Sequence, residues 1–275
     1  MNKMTKTLMS ALCVAAVCGG ATALGACGDG NGTEELVITG STSVEPLMKK
    51  LAAVYEENHA GVEINIGVGG SSVGVSDAKN GKNDFGMASR ELKAEEKADG
   101  MVSLKIADDG LAMIVNKNCT VDSVTQAEVK ALYENGTAIQ DVLRGALSRE
   151  DGSGTRDAFE EIIGIKSLYK GTGFEDGLSA TGTVIANIQG NTEGNQMGYI
   201  SLGSLNDSVK ALKDNGVAAT VANVTNKTYT LARPFNIVYK QGGLSELAQS
   251  FIDFIVSAEG QAIVTANHYI AVAES

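Results

Sequence analysis

Short apolar strands alternate with amphipathic helices along most of the chain, and no other feature constrains the fold as strongly. ELVITG at 35–40 predicts a strand, and EPLMKKLAAVYEENH at 45–59 predicts an amphipathic helix. A second strand runs into a Gly-Ser turn at 62–72, and LAMIVN at 111–116 has the continuous apolar character of a buried strand. This βα pattern favours an open α/β sheet with a largely parallel core.

A second unit follows between about 117 and 223, and it contains a predicted helix at 125–135 and another that follows the GSGT run at 152–155. The last part of the chain predicts a strand at 232–240 and one or two amphipathic helices after it. We therefore expect two α/β lobes, with the chain crossing between them twice. The expected boundaries are 36–116 with 224–275 for lobe 1, and 117–223 for lobe 2.

The first 26 residues have the charge, length and small-residue ending of a secretory signal. Leu24-Gly25-Ala26-Cys27 resembles a bacterial lipobox, in which the cysteine is lipidated, with palmitate among the attached groups, and becomes the first mature residue. Residues 27–35 then predict a flexible, lipid-anchored linker. The expected location is extracytoplasmic, with only the lipid touching the cell membrane.

Two further cysteines lie in the signal segment, so Cys119 is the one thiol left for the mature domain, where we expect it buried and free. A single remaining thiol excludes an intramolecular disulfide framework and a cysteine metal cluster. The formal net charge of −11 argues against nucleic acid as a partner. An anion could bind only through local dipoles and one or two well-placed cations.

Three Gly/Ser/Thr clusters lie where a predicted strand ends and a helix begins: TGSTSVEP at 39–46, GVGGSSVG at 67–74 and DGSGTRD at 151–157. Helix starts at the carboxyl ends of strands present free N–H groups and a partial positive charge. One such cluster is usually only a helix cap. Three of them, with Arg149 beside the last, favour an oxyanion site.

An enzyme is the alternative from a different class, namely a serine hydrolase or phosphatase that uses Ser153 or Ser43. Such a nucleophile needs an adjacent base oriented by a third group. The chain has two histidines, His59 and His268, and neither is near a Gly-Ser motif in sequence. We therefore expect a binding protein with no catalytic residue, no metal and no cofactor.

ITGSTSVEPL, GVGGSSVG, DFGMASRELK and SREDGSGTRDAF, in this order, resemble the phosphate-binding lipoproteins of bacterial ABC transporters. The resemblance covers nearly the whole mature chain. It implies a two-lobed, hinged periplasmic-binding-protein-like fold (type II) with phosphate in the cleft, and a permease as partner. It also implies these phosphate-binding residues: Thr42, Ser43, Ser71, Arg149, Ser153, Gly154 and Thr155. Ser72 and Ser89 are secondary candidates, and Asp151 is placed to pair with Arg149 and orient it.

Two departures from the family pattern bear on selectivity. Well-known relatives have an aspartate after the AS of DFGMAS, where it accepts the proton of monohydrogen phosphate, whereas here Ser89 is followed by Arg90. Arg90 would add a cation to the site, or pair at the surface with Glu91 or Glu95, and Asp109 could supply the missing acceptor. The segment before Ser148 is also shorter than the family pattern, which trims the second lobe or alters the cleft rim.

Other tetrahedral oxyanions, sulfate or molybdate, therefore stay open as alternative ligands. A site for a fully ionised anion should offer donors only, and a site for a protonated anion should offer an acceptor. A tethered sensor or adhesin that kept the fold is a third possibility. We expect a monomer.

Overall fold

The computed structural model describes residues 33–272, so the predicted signal segment, Cys27 and most of the linker lie outside the described residues. The strands are β1 Glu34–Gly40, β2 Val62–Val68, β3 Phe85–Ala88, β4 Met101–Val115, β5 Ser123–Val124, β6 Gly145–Arg149, β7 Phe174–Leu178, β8 Gln196–Ser201, β9 Lys210–Ala211, β10 Lys213–Asp214, β11 Ala232–Lys240 and β12 Ile270–Ala271. The α-helices are α1 Glu45–Asn58, α2 Ser71–Lys79, α3 Ala94–Ala98, α4 Gln126–Asn135, α5 Gly154–Ile163, α6 Thr181–Gly190, α7 Val221–Thr225, α8 Glu246–Val256 and α9 Ala258–Ala266.

The main sheet has the strand order β2-β1-β3-β11-β4-β8-β6-β7. The pairs β1/β2, β1/β3, β6/β7 and β6/β8 are parallel, as the βα pattern predicts. The centre differs from the expectation of a largely parallel core, because β11 is antiparallel to both β3 and β4, and β4 is antiparallel to β8. The reason is that β11 comes from the last part of the chain, outside the βα pattern, and inserts between β3 and β4 in the opposite direction to both.

Buried side chains form two large hydrophobic cores. The first core gathers residues of β1, α1, β3, α8 and α9, and the second gathers residues of α4, β6, α5, α6 and β8. Both β4 and β11 pass from one core to the other, between Ala107 and Leu111 on β4 and between Ala232 and Phe235 on β11. These crossings lie a few residues inside the predicted lobe boundaries, which stay a prediction.

Local sequence explains how the helix starts reach the strand ends. Gly40 has a φ of 139°, and a Cβ there would lie 2.2 Å from the carbonyl oxygen of Met87. In α2, a Cβ on Gly74 would lie 2.8 Å from the carbonyl oxygen of Thr39. Because neither glycine has a side chain, β1, β3 and α2 pack closely and hold Ser71 at the ends of the strands.

Two further predictions can be compared with the described residues. The segment after β11 contains two helices, since Ser257 ends α8 and its Oγ accepts from Gly260 N to cap α9. Cys119 is buried and free, as expected. No helix within 33–272 combines the length and apolar character needed to cross a membrane.

Candidate anion-binding site

Four helices, α1, α2, α5 and α6, begin close together at the carboxyl ends of strands. Ser43 Oγ, just before α1, lies 2.8 Å from Thr155 Oγ1 of α5 and 3.2 Å from Thr181 Oγ1 of α6. Ser71, the first residue of α2, lies so near α5 that a Cβ on Gly154 would be 2.2 Å from its Oγ. Four sets of free N–H groups and four positive dipole ends therefore meet at one place.

Small hydroxyl side chains line this meeting point, and we call them the hydroxyl cluster: Ser41, Ser43, Ser71, Ser89, Thr155 and Thr181. All six are buried. Ser41 Oγ donates to Ser89 Oγ at 2.9 Å, and the Ser89 amide donates to Ser71 Oγ at 3.0 Å. Hydroxyls both donate and accept, so the cluster can adapt to an oxyanion's oxygens.

Arg149, the last residue of β6, supplies the cation beside the cluster and is 1% exposed. Its Nη2 donates to Thr42 Oγ1 at 2.9 Å, and its Nε donates to the carbonyl oxygen of Leu178 at 2.9 Å. Glu150 accepts from Nε and Nη2 at 2.8 Å each. Nη1 is buried and has no hydrogen-bond partner among the described residues. An unpaired buried donor on a charged group costs free energy, which an acceptor placed there would recover.

The prediction that Asp151 orients Arg149 is wrong, because Glu150 holds that guanidinium. Asp151 has a side chain that is 97% exposed and pairs with Arg156 Nη1 at 2.8 Å. Gly152, with a φ of 84°, turns the chain directly after Asp151 and is followed by the start of α5. In this turn Asp151 faces solvent while its neighbour Glu150 stays on the Arg149 side.

Both expectations for Arg90 are also wrong, since it is neither an anion ligand nor a surface residue. It is 4% exposed, and its Nη1 and Nη2 each donate to Glu96 at 2.8 Å. Nη1 also donates to the carbonyl oxygen of Glu91 at 2.8 Å, and Nη2 donates to Ser72 Oγ at 3.2 Å. Nε lies 2.9 Å from Asp157 Oδ2, at ion-pair distance without hydrogen-bond alignment. A guanidinium has five N–H donors, and protein groups engage the four on Nη1 and Nη2 while the fifth, on Nε, faces the Asp157 carboxylate, so Arg90 offers no donor to the hydroxyl cluster.

Burial by itself lowers the pKa of Arg90, but the hydrogen bonds and charge of Glu96 outweigh burial and raise it. The same pairing lowers the pKa of Glu96, although burial alone would raise it. Arg90 and Glu96 are therefore both charged at neutral pH.

Asp109 does not supply an acceptor to the hydroxyl cluster. It is 1% exposed, accepts from Ser201 Oγ at 2.9 Å and pairs with Arg233 Nη2 at 3.3 Å. Burial raises the pKa of Asp109 to about 6 and lowers the pKa of Arg233 to about 10, so the pair is held against a desolvation cost. Arg233 Nη1 reaches the carbonyl oxygen of Ser89 at 3.3 Å, which links this pair to the back of the site.

Ser153 and Ser72 have supporting contacts. Ser153 Oγ accepts from Arg156 N at 3.4 Å as the cap of α5. Ser72 N donates to the carbonyl oxygen of Gly152 at 3.0 Å, so the starts of α2 and α5 are hydrogen-bonded to each other. Ser41 and Thr181 belong to the hydroxyl cluster but were not predicted. The SATGT run at 179–183 carries the same small-residue signal before a helix as the three recognised clusters.

Within residues 33–272 no group of three or more His, Cys, Asp or Glu side chains is arranged to hold a metal ion. The site thus joins Thr42, Arg149, Gly154 and the hydroxyl cluster, while Arg90, Asp109 and Asp151 are engaged elsewhere. Its chemistry is that of a pocket for a small oxyanion, built from hydroxyls, helix starts and one guanidinium.

Comparison with known proteins agrees with this chemistry. Residues 22–259 match the family model of a PBP superfamily domain. The phosphate-binding protein PstS of Staphylococcus aureus is 30% identical over 278 residues, which cover 90% of this chain and 84% of that protein. A Clostridium perfringens protein, assigned as a phosphate ABC transporter substrate-binding protein and crystallised with bound phosphate, is 42% identical with a TM-score of 0.81, over 87% of this chain and all of that one.

A shorter match has higher identity. PstS 2 of Streptococcus agalactiae is 45% identical over 129 residues, which are 45% of this chain and 44% of that protein. The match thus spans less than half of the length of the streptococcal relative. The family model and the staphylococcal relative each cover most of the chain, so the chain belongs to the PBP superfamily and, within it, to the phosphate-binding proteins. Its mixed α/β fold is the fold of that superfamily.

Proposed function

We propose that this protein captures inorganic phosphate outside the cytoplasm and delivers it to the permease of an ABC transporter, without breaking any bond in the ligand. The observation that carries the proposal is Arg149, a buried guanidinium beside the hydroxyl cluster with Nη1 unpartnered among the described residues. A tetrahedral oxyanion has acceptors to offer in several directions, which suits donors that converge from four helix starts and one arginine.

The ligand contacts would come from side-chain hydroxyls, backbone N–H groups and the guanidinium. We assign direct contact to Thr42, Ser43, Ser71, Arg149, Gly154 and Thr155, with Ser153 as the cap that orients the start of α5. Hydrogen bonds to a charged group contribute roughly 1.5–3 kcal/mol each. About half a dozen of them, less ordering and desolvation, reach about −8 kcal/mol, which corresponds to micromolar affinity.

The relatives support phosphate as the ligand and a permease as the partner. The staphylococcal and streptococcal relatives are named as phosphate-binding proteins, and the clostridial structure contains phosphate. The two hydrophobic cores on either side of the site support two lobes, with the chain crossing between them near residues 107–111 and 232–235. Closure of such lobes over a ligand lets a permease recognise the loaded form.

The N-terminal segment supports attachment to the outside of the cell membrane. A charged start, an apolar run and the Leu24–Cys27 tetrapeptide fit an exported lipoprotein whose Cys27 carries palmitate. The domain itself would then be a monomer held near the permease by its lipid.

Isothermal titration calorimetry of the purified protein tests the ligand. Bound anion is first removed by unfolding and refolding, and phosphate and sulfate are then titrated at an acidic and a mildly alkaline pH. Phosphate should bind with micromolar or tighter affinity and sulfate should give no heat. Equal binding of sulfate would assign the site to tetrahedral oxyanions in general, and the absence of binding by either anion would overturn the proposal.

A further inference from the structure

An ion pair connects the loop after β3 to the first turn of α5. Arg90 Nε lies 2.9 Å and Lys93 Nζ lies 3.3 Å from the same oxygen, Oδ2 of Asp157. Arg90 is 4% exposed and the Asp157 side chain is 30% exposed, so this contact is largely shielded from solvent. We call these three residues the Asp157 cluster.

The two sides of the Asp157 cluster are anchored in different cores. Arg90 follows β3, whose Phe85 and Met87 belong to the first core, and Asn236 Nδ2 of β11 donates to its carbonyl oxygen at 2.9 Å. Asp157 lies in the first turn of α5 next to Ala158, which belongs to the second core. A contact between Arg90 and Asp157 therefore joins the two cores.

Contacts that do not involve Asp157 already fix the Arg90 guanidinium. Glu96 accepts from both of its terminal nitrogens and also accepts from Lys93 N at 2.8 Å, so the loop after β3 is fixed around the guanidinium. Only Nε is left to point across to α5. A preorganised cation loses little side-chain freedom when its partner arrives.

The partner helix is the one that presents donors to the anion. Gly154 and Thr155 precede Asp157 in the first turn of α5, and Gly154 lies against Ser71 and Ser89. When Asp157 is held by Arg90, the start of α5 is held against the start of α2, where Ser72 N also donates to the carbonyl oxygen of Gly152.

We propose that Arg90 and Asp157 form a latch that holds the lobes closed over the bound anion. The pair acts as positioning residues, since neither side chain is needed as an anion ligand. The inference rests on the proposed phosphate-binding function. It gives Arg90 a role in closure and not in contact with the ligand.

The latch and a simple charge effect predict opposite results for one substitution. Asp157→Asn removes a negative charge near the anion, which should strengthen phosphate binding if only Coulomb interactions matter. Loss of a latch should weaken binding. Glu161→Gln is the matched control, because it removes one negative charge from an exposed position on the same helix.

The experiment is phosphate titration by calorimetry, with release of radiolabelled phosphate into excess unlabelled phosphate as a second readout. Asp157→Asn should bind about tenfold more weakly, equivalent to about 1.4 kcal/mol. Its phosphate should also leave about tenfold faster, because affinity differences among variants of one binding site lie mainly in the dissociation rate. Glu161→Gln should match the unsubstituted protein or bind slightly more tightly.

Unchanged or tighter binding by Asp157→Asn, or weaker binding without faster release, overturns the latch. Should Asp157→Asn prove unfolded by circular dichroism, Arg90→Lys replaces it, since it keeps the charge and changes the reach, and unchanged release then overturns the latch. If the unsubstituted protein itself fails to bind phosphate, that separate result overturns the proposed function, and the latch proposal is overturned with it.

Discussion

Two buried arginines flank the candidate site, and they differ in how many donors they have left. Arg149 donates to Thr42, Glu150 and the carbonyl oxygen of Leu178, and its Nη1 has no partner among the described residues. Arg90 has every terminal donor engaged by Glu96, Ser72 and backbone. Both lie at or just after the end of a strand of the same sheet, so their positions in the fold do not explain why their free donors differ.

The partners of a buried arginine therefore decide its role. A guanidinium with a bidentate carboxylate on one edge and an open nitrogen on the other can take an anion without losing its support. A guanidinium saturated by protein groups can only hold those groups together. Arg149 therefore serves ligand binding, and Arg90 serves structure and closure. Substitutions at Arg149 and at Glu96, the carboxylate that holds Arg90, test that division, and substitutions at Gly154 and Thr181 test the surrounding helix starts.

Arg149→Lys should have the largest effect on binding. Lysine keeps the charge but loses the planar fork that reaches Thr42, Glu150 and the anion together. Loss of one or two charge-assisted hydrogen bonds of roughly 1.5–3 kcal/mol each should weaken phosphate binding about a hundredfold or more. Calorimetry measures the change, and binding within about threefold of the unsubstituted protein would show that Arg149 is not the anion's arginine.

Glu96→Gln should reduce stability and do less to the ligand contacts. Breaking a buried pair costs about 3–5 kcal/mol, and since the Glu96 side chain is 15% exposed we expect about 2 kcal/mol at neutral pH. The pKa of Glu96 is lowered below its ordinary value of 4.5, so its stabilisation is present above pH 4.5 and is lost as pH falls through the lowered pKa.

Urea unfolding at a series of pH values checks this expectation, with the exposed neighbour Glu95→Gln as control. The gap between Glu96→Gln and the unsubstituted protein should close as pH falls below 4.5. A gap that persists in acid would mean that Glu96 stabilises by packing and not by its charge.

Gly154→Ala should weaken binding about tenfold. The added Cβ would lie 2.2 Å from Ser71 Oγ and 2.8 Å from Ser89 Oγ, so the starts of α2 and α5 must separate. Such overpacking costs about 1–3 kcal/mol. Gly182→Ala on α6 is the control, since a Cβ there meets nothing within 4 Å. Equal phosphate affinities for these two variants would show that phosphate binding does not depend on the close approach of α2 and α5.

Thr181→Val should have the smallest effect. It removes the hydroxyl that meets Ser43 Oγ at 3.2 Å while it keeps the shape of the side chain. Loss of one neutral hydrogen bond of about 0.5–1.5 kcal/mol should weaken phosphate binding by about two- to tenfold. A change larger than that of Gly154→Ala would place Thr181, and with it α6, among the main ligand contacts.

Much of this arrangement could be predicted from sequence because local patterns determine it. Apolar runs and helical spacing locate β1, α1, α5 and β11, and small residues at the helix starts identify Ser43 and Thr155. The length of β4 could not be read in the same way. Lys105, Asp108 and Asp109 interrupt its apolar run, and Asp109 is buried together with its partners Arg233 and Ser201 on the neighbouring strands.

The partners of the arginines could not be predicted because they depend on long-range packing and on local turns. Arg90 meets Asp157 across the site, 67 positions away in a chain whose sequence alone does not bring β3 and α5 together. Glu150 and Asp151 are adjacent acids of equal charge, and only the turn at Gly152 places the first against Arg149 and the second in solvent.

A crystal structure of the protein grown with phosphate would show which arginine holds the anion. We expect a phosphate oxygen within hydrogen-bond distance of Arg149 Nη1, among the hydroxyls of the cluster, with Arg90 still bound to Glu96 and facing Asp157. Phosphate held by Arg90, or an Arg149 that contacts only protein groups beside a bound phosphate, would contradict this expectation.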